Sequence, residues 1–214
     1  MTEVAAAQTA LGYEPLDEAF FARSVHVVAR DLIGCALLCD GVGGLIVETE
    51  SYHREDPACH AYVGLTPRTS VLFGPPGRAY VYFSYGIHSL LNAVAEPQGE
   101  AAAVLIRALE PRWGIEEMRR RRGRDGLREL CSGPGKLTQA IGVGLEHNGL
   151  SLLERPFELR ARQAAANAVV ATGPRIGITK AIEHPWRFCA AGSPFLSRPL
   201  PAPGRGGPGR ASGP

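Results

Sequence analysis

R-A-Y-V-Y-F-S-Y-G-I-H-S-L-L-N, residues 78–92, holds three of the chain's six tyrosines, Tyr80, Tyr82 and Tyr85, in a sequence only 7% aromatic. The stretch reads as two strands, over 79–84 and 89–95, with the chain turning at Gly86. Side chains on a strand alternate faces, so Tyr80, Tyr82 and Ser84 point one way. A strand in an ordinary core favours Val, Ile or Leu, which have no hydroxyl to satisfy. The tyrosines are therefore either half-buried cross-strand packing or a surface that takes flat rings.

Working outward, A-V-L-I-R-A-L, residues 103–109, is a short apolar run with Arg107 inside it and reads as a third strand. Upstream, 35–40 and 45–52 read as strands around D-G-V-G-G, a Gly-rich turn suited to a hairpin. F-F-A-R-S-V-H-V-V-A-R-D-L-I-G, residues 20–34, has a helical pattern that stops at Gly34. Residues 53–65 are polar and irregular. Thr66-Pro67 is a helix start, with the helix ending before Gly74. A charged helix is expected over 112–122 and a short one after Ser132-Gly133-Pro134. Later strands are expected at 150–153, 168–171 and 187–190. Strands joined mostly by hairpins, without regular β-α-β alternation, give an α+β fold: one domain around a curved, mostly antiparallel sheet with peripheral helices.

The 214 residues suffice for one soluble globular domain with a real core. Residues 1–12 read as a loose leader and 13–198 as the domain. The last sixteen residues, 199–214, contain ten Pro or Gly and are expected to be disordered. The chain has no apolar run long enough to span a membrane and no basic-then-apolar leader, so the cytoplasm is the expected location. Five scattered cysteines, an odd number, argue against a disulfide framework, and Cys35 and Cys39 lack the partners of a zinc site. Net charge is +2 but uneven: residues 1–62 carry ten acids against three arginines, the remainder twenty bases against eleven acids. A basic binding face is compatible with that asymmetry.

Five segments carry candidate chemistry. In V-E-T-E-S-Y, residues 47–52, Glu48, Glu50 and Tyr52 share one strand face. They form either a solvent-facing acidic edge or a partly desolvated general base at the end of a buried strand. Arg107 must reach the surface or meet an acid, and Glu48 and Glu50 are the obvious partners. It is either half of a buried ion pair or the cation that orients a carboxylate and its water. The tyrosines would suit nucleobases, each stack being worth about 1 to 3 kcal/mol. R-R-R-R-G-R, residues 119–124, is either a phosphate contact or an exposed helix end. C-S-G-P-G-K, residues 131–136, lacks P-loop spacing, but its helix start and Lys136 suit one phosphate.

In order, V-E-T-E-S-Y, D-P-A-C-H, T-P-R, P-P-G-R-A-Y-V-Y-F-S-Y-G-I-H-S-L-L-N, V-L-I-R-A-L-E-P, L-C-S-G-P-G-K-L and G-P-R-I-G-I resemble the alkyladenine (3-methyladenine) DNA glycosylases, from about residue 13 to Ser197. The resemblance implies a monofunctional enzyme that hydrolyses the N-glycosidic bond of alkylated or deaminated purines in duplex DNA. It implies a monomer that uses no cofactor or metal and meets the nucleoid through DNA. By matching position, Glu50 is the base that activates water, with Glu48 its companion. Arg107 stands beside that water, and the backbone carbonyl of Ile176 is the third contact. Tyr52, His60 and Tyr82 enclose the extruded base, and Asn92 crowds a guanine amino group. Tyr85 is the wedge that fills the vacated space. Arg68 and Lys136 are candidate contacts to the DNA backbone. The alternatives are a nucleic-acid-binding module that keeps the fold without the chemistry, and a protein-interaction scaffold.

Overall fold

A computed structural model describes residues 13–84, 86, 88–163 and 169–200. The expected leader and nearly all of the expected tail lie outside these, as does Tyr85. Among these residues, eight strands form one antiparallel sheet: β1 (Ala36–Cys39), β2 (Val42–His53), β3 (Ala79–Ser84), β4 (His88–Val94), β5 (Ala102–Trp113), β6 (Phe157–Arg160), β7 (Val170–Gly173) and β8 (Arg187–Ala190). The main path runs β3-β4-β5-β2-β1-β6. Among the described residues, five α-helices flank it: α1 (Glu18–Phe21), α2 (Val25–Asp31), α3 (Ile115–Arg122), α4 (Leu127–Cys131) and α5 (Pro134–Ile141). The sheet curls into a half-barrel, and the α+β architecture is the expected one.

Strand β2 is the hub. One edge pairs with β5 from Gly43↔Trp113 to His53↔Ala102. The other edge is shared by β1 at its start and by β8 at Glu48–Glu50. The hairpin between β1 and β2 turns on Asp40 and Gly41 alone, both with positive φ (48° and 78°), as a tight two-residue turn requires. Gly43 and Gly44 are therefore in the strand, not the turn. A Cβ on either would meet a carbonyl oxygen of β1 or β5, Leu37 O at 2.0 Å or Glu110 O at 2.1 Å. These glycines let three strands approach closely.

Alternation along the strands separates two layers. Leu91, Ala93, Val104 and Ile106 face the main core with Val28, Leu32, Met118, Leu137 and Ile141. The other face carries Tyr52, Tyr80, Tyr82, Asn92, Leu105 and Arg107, over a smaller core of Cys59, Ala61, Leu72, Val94 and Ala103. The ladder between β2 and β5 shifts register around Val47 and Arg107. Such irregularities re-aim side chains, and here they bring Arg107 onto the acids of β2.

Three expected elements differ. The helical pattern over 20–34 is two short helices, because the Glu96 carboxylate accepts the Val25 N–H (3.0 Å) and starts a new helix there. Arg23 spans the break, bonding Phe20 O and Asp31. The segment after Thr66-Pro67 is a single 3-10 turn, Ser70–Phe73, ending at Gly74. Residues 150–153 form no strand; they run beside β3, with an isolated bridge Arg78↔Ser151 and Leu152 N bonded to Gly77 O. Helix α4 and strand β6 were not expected. All five cysteines are buried and free, and burial pushes their thiols up, Cys35 and Cys59 to about 11 and the other three to about 12. No helix among the described residues is long and apolar enough to cross a membrane.

Candidate active site

Glu48 and Glu50 are both fully buried, which excludes the solvent-facing acidic edge. Their partners are specific. Arg107 donates from Nε to Glu48 (2.9 Å) and from Nη1 to Glu50 Oε2 (3.2 Å). The Tyr52 hydroxyl donates to the same Oε2 at 2.7 Å, and the Ile176 N–H donates to Oε1 at 2.7 Å. Among the described residues, every hydrogen bond Glu50 makes is one it accepts, the pattern of an ionised carboxylate. Burial pulls the Arg107 guanidinium down, but Glu50 and Glu48 more than reverse this and hold its proton firmly. Burial, then the Glu50 charge, pushes the Tyr52 phenol well up, so it stays a donor.

Glu48 is held from three more directions: Arg187 Nε (2.8 Å), the Ser197 N–H (2.6 Å) and the Ser197 hydroxyl (2.7 Å). A third buried pair stands next to these. Arg175 bonds both carboxylate oxygens of Asp56 and also the carbonyl of Ser51. Its guanidinium stacks over Tyr52 (4.6 Å to the centroid) and Trp186 (5.0 Å). Fixing Arg175 fixes the adjacent Ile176 N–H. Asp56 also accepts the Ala58 N–H (2.9 Å) and leads directly to the 3-10 turn that carries His60. Among the described residues, Glu48, Glu50 and Asp56 are thus matched by Arg107, Arg175 and Arg187, all buried. A buried charge without a partner costs several kcal/mol, so each of the six depends on the others.

Above Glu50 opens a cleft of about 450 Å³. Arg107, Tyr52 and Ile176, the three groups that hold Glu50, line its floor, with Glu50 directly behind them. Tyr80 and Tyr82 form one wall, their rings 5.4 Å apart. His60 meets both edge-on, at 6.1 and 4.5 Å, and its Nδ1 lies 3.0 Å from the Tyr80 hydroxyl. Asn92 lines the cleft, held by a bond from its Nδ2 to Tyr80 O (3.0 Å). Burial pushes the Tyr82 phenol up to about 12 and raises Tyr80, while burial and Arg68 lower His60. The rings are therefore neutral at physiological pH.

The structure brings Glu50, Arg107, Ile176, Tyr52, His60, Tyr82 and Asn92 together. Ile176 meets Glu50 through its N–H, a contact separate from the expected one between its carbonyl and water. Arg68 lines the cleft, 5.6 Å over the Tyr82 ring. Lys136 is exposed on α5 and does not line the cleft, although Pro134 at the start of that helix does. The arginine run is an exposed helix end. Arg119, Arg120 and Arg121 pair with Glu116 and Glu117 one turn back, and Arg122 bonds Gln139. Tyr80, Asp56, Arg175, Arg187 and Ser197 were not expected at the site. Tyr80 shares a strand face with Tyr82, which was a usable signal. Arg187 opens an expected strand and invited the argument made for Arg107. No local pattern marks Ser197. Among the described residues, no three His, Cys, Asp or Glu side chains group as metal ligands.

Comparison with known proteins gives a consistent result. A family profile described as Methylpurine-DNA glycosylase matches residues 19–194. A protein of Rhodopseudomonas palustris (strain HaA2) is 59% identical over 196 residues, covering 92% of this chain and 96% of its own. One from Bradyrhizobium diazoefficiens is 60% identical over 188 residues (88% and 93%), and one from Nitrosospira multiformis 54% over 184 (86% and 94%). All three are named, provisionally, as 3-methyladenine DNA glycosylases.

Proposed function

Since this chain belongs to the methylpurine-DNA glycosylase family and is a monofunctional DNA glycosylase acting on DNA, we propose that it turns alkylated or deaminated purines out of the duplex and releases them with water activated by Glu50. Residues 13–198 are the unit that carries this activity. The observation that supports the reading is the position of Glu50: directly behind an aromatic cleft, and bonded by three donors that line it.

The target bond lies inside a stacked duplex, so the nucleotide must leave the stack, at a cost of a few kcal/mol. Tyr85 fills the gap it leaves, a role that rests on the family resemblance alone. The base enters between Tyr52, Tyr80, Tyr82 and His60. Stacking supplies about 1 to 3 kcal/mol, and a cationic alkylpurine gains about 0.5 to 2 more from any ring face that another cation does not already occupy. Asn92, immobilised on Tyr80 O, crowds a purine 2-amino group.

A carboxylate has about four acceptor sites. Oε2 of Glu50 uses two, on Tyr52 and Arg107, while Oε1 uses one, on Ile176. The open site on Oε1 takes the water. Water's oxygen attacks the sugar C1′ as the N-glycosidic bond breaks, and the bonding electrons leave with the purine. Glu50 accepts the proton, and its negative charge faces the oxocarbenium character of the sugar, the logic of glycoside hydrolysis. Arg107, pinned by Glu48, keeps Glu50 oriented.

A panel of duplexes, each with one 3-methyladenine, 7-methylguanine, hypoxanthine or 1,N6-ethenoadenine, tests this reading. Incubation followed by alkali is expected to cut the lesion strand at the damaged position. A non-catalytic binder would hold the duplexes and leave them alkali-stable, and a protein scaffold would do neither.

A further inference from the structure

Among the described residues, Arg68 is the one cleft-lining arginine whose charge is not consumed by an acid. Arg107, by contrast, is committed to Glu48 and Glu50, and Arg175 behind the cleft to Asp56. Among the described residues no carboxylate lies within ion-pair distance of Arg68. Its backbone is held in place: Thr66 and Thr69 bond one another through their hydroxyls (2.9 Å), and Thr69 bonds Gly64 O (2.9 Å). From that turn the guanidinium reaches over the Tyr82 ring, 5.6 Å from its centroid, and Nη2 comes within 3.3 Å of His60 Nε2. A guanidinium has donors only, so Nε2 is the acceptor. His60 is then neutral, with its Nδ1–H directed to the Tyr80 hydroxyl. Arg68 thus occupies the electron-rich face that a cationic base would seek, and it adds a fixed positive charge to the space that base would enter. A neutral purine with an oxygen or nitrogen acceptor on its edge meets a donor at the same place.

We propose that Arg68 is a specificity-determining residue that biases the cleft against cationic alkylpurines and toward neutral purines with an acceptor edge, such as hypoxanthine and 1,N6-ethenoadenine. The inference rests on the glycosylase reading and refines its substrate class. It also reassigns Arg68, whose expected role was a phosphate contact.

Single-turnover base release by the full chain, on duplexes with one 7-methylguanine, hypoxanthine or 1,N6-ethenoadenine, tests it. Arg68→Met is expected to raise the 7-methylguanine to hypoxanthine rate ratio by about fivefold or more, since a cation is removed from a partly screened site. Arg68→Lys keeps the charge and is expected to keep the ratio within about twofold of the original. A Lys variant that behaves like Met would overturn the charge argument. Equal slowing on all three lesions, with the salt slope of DNA affinity shallower by about one, would make Arg68 a phosphate contact and overturn the proposal. Release of no base from any duplex by the unaltered protein would defeat the glycosylase reading itself, and the inference with it. An unchanged ratio with normal release defeats only the inference.

Discussion

The Tyr52 hydroxyl lies 2.7 Å from Oε2 of Glu50, two residues back on the same strand and on the same face. One ring therefore makes two kinds of contact. Its face lines the cleft, and its hydroxyl orients the carboxylate behind it.

Tyr52→Phe separates these roles. The ring remains, and Glu50 loses one of three donors. A hydrogen bond to a charged group contributes about 1.5 to 3 kcal/mol, so base release is expected to slow by roughly tenfold or more. Affinity for lesion DNA should change little. Single-turnover rates beside equilibrium binding check this; an equal loss in both would mean that the hydroxyl serves only packing.

Asp56→Ala leaves Arg175 buried without its acid. Breaking a buried pair costs about 3 to 5 kcal/mol, a large fraction of the stability of a domain this size. A urea melt should show the midpoint fall by that equivalent. Restoring balance with Arg175→Met in the same chain is expected to recover part of the stability but not the activity, because the Ile176 N–H and the Tyr52 ring lose their support.

Acidification from neutral pH should destabilise the fold. Burial lowers both His26 and His60 from the ordinary value of 6.5, with a further push from the His53 charge on one and from Arg68 on the other. Below about 6.5 the unfolded chain binds protons that the folded chain refuses, so stability falls as pH falls. Urea midpoints between pH 7.5 and 5.5 (an interval chosen to bracket the ordinary histidine value) are expected to decline, and His26→Gln should make the decline shallower. A flat profile in the unaltered protein would contradict this.

Tyr85→Ala is expected to weaken capture of the extruded state. With 2-aminopurine placed beside the lesion, the fluorescence rise on binding should shrink for the variant. An equal rise would count against the wedge.

Much of this was legible from period and residue type. The tyrosine face of β3, the shared face of Glu48, Glu50 and Tyr52, and the need of Arg107 for an acid all follow from two-residue alternation and the cost of a buried charge. Family order assigned Ile176, His60 and Asn92. What escaped was non-local. The break before α2 depends on Glu96, 71 residues away, and Glu48 is capped by Ser197, 149 residues away. Neither contact leaves a mark in the local sequence. An arginine in T-P-R says nothing of where its guanidinium ends, and only the fold carries Arg68 over Tyr82.

Glu50→Gln under single-turnover conditions, on a duplex with one 1,N6-ethenoadenine or hypoxanthine, probes the chemistry most directly. Gln fills the same space but takes no proton from water. Lesion binding is expected to survive while base release falls to background. Release at the original rate would show that the carboxylate behind the aromatic cleft is not what drives bond cleavage.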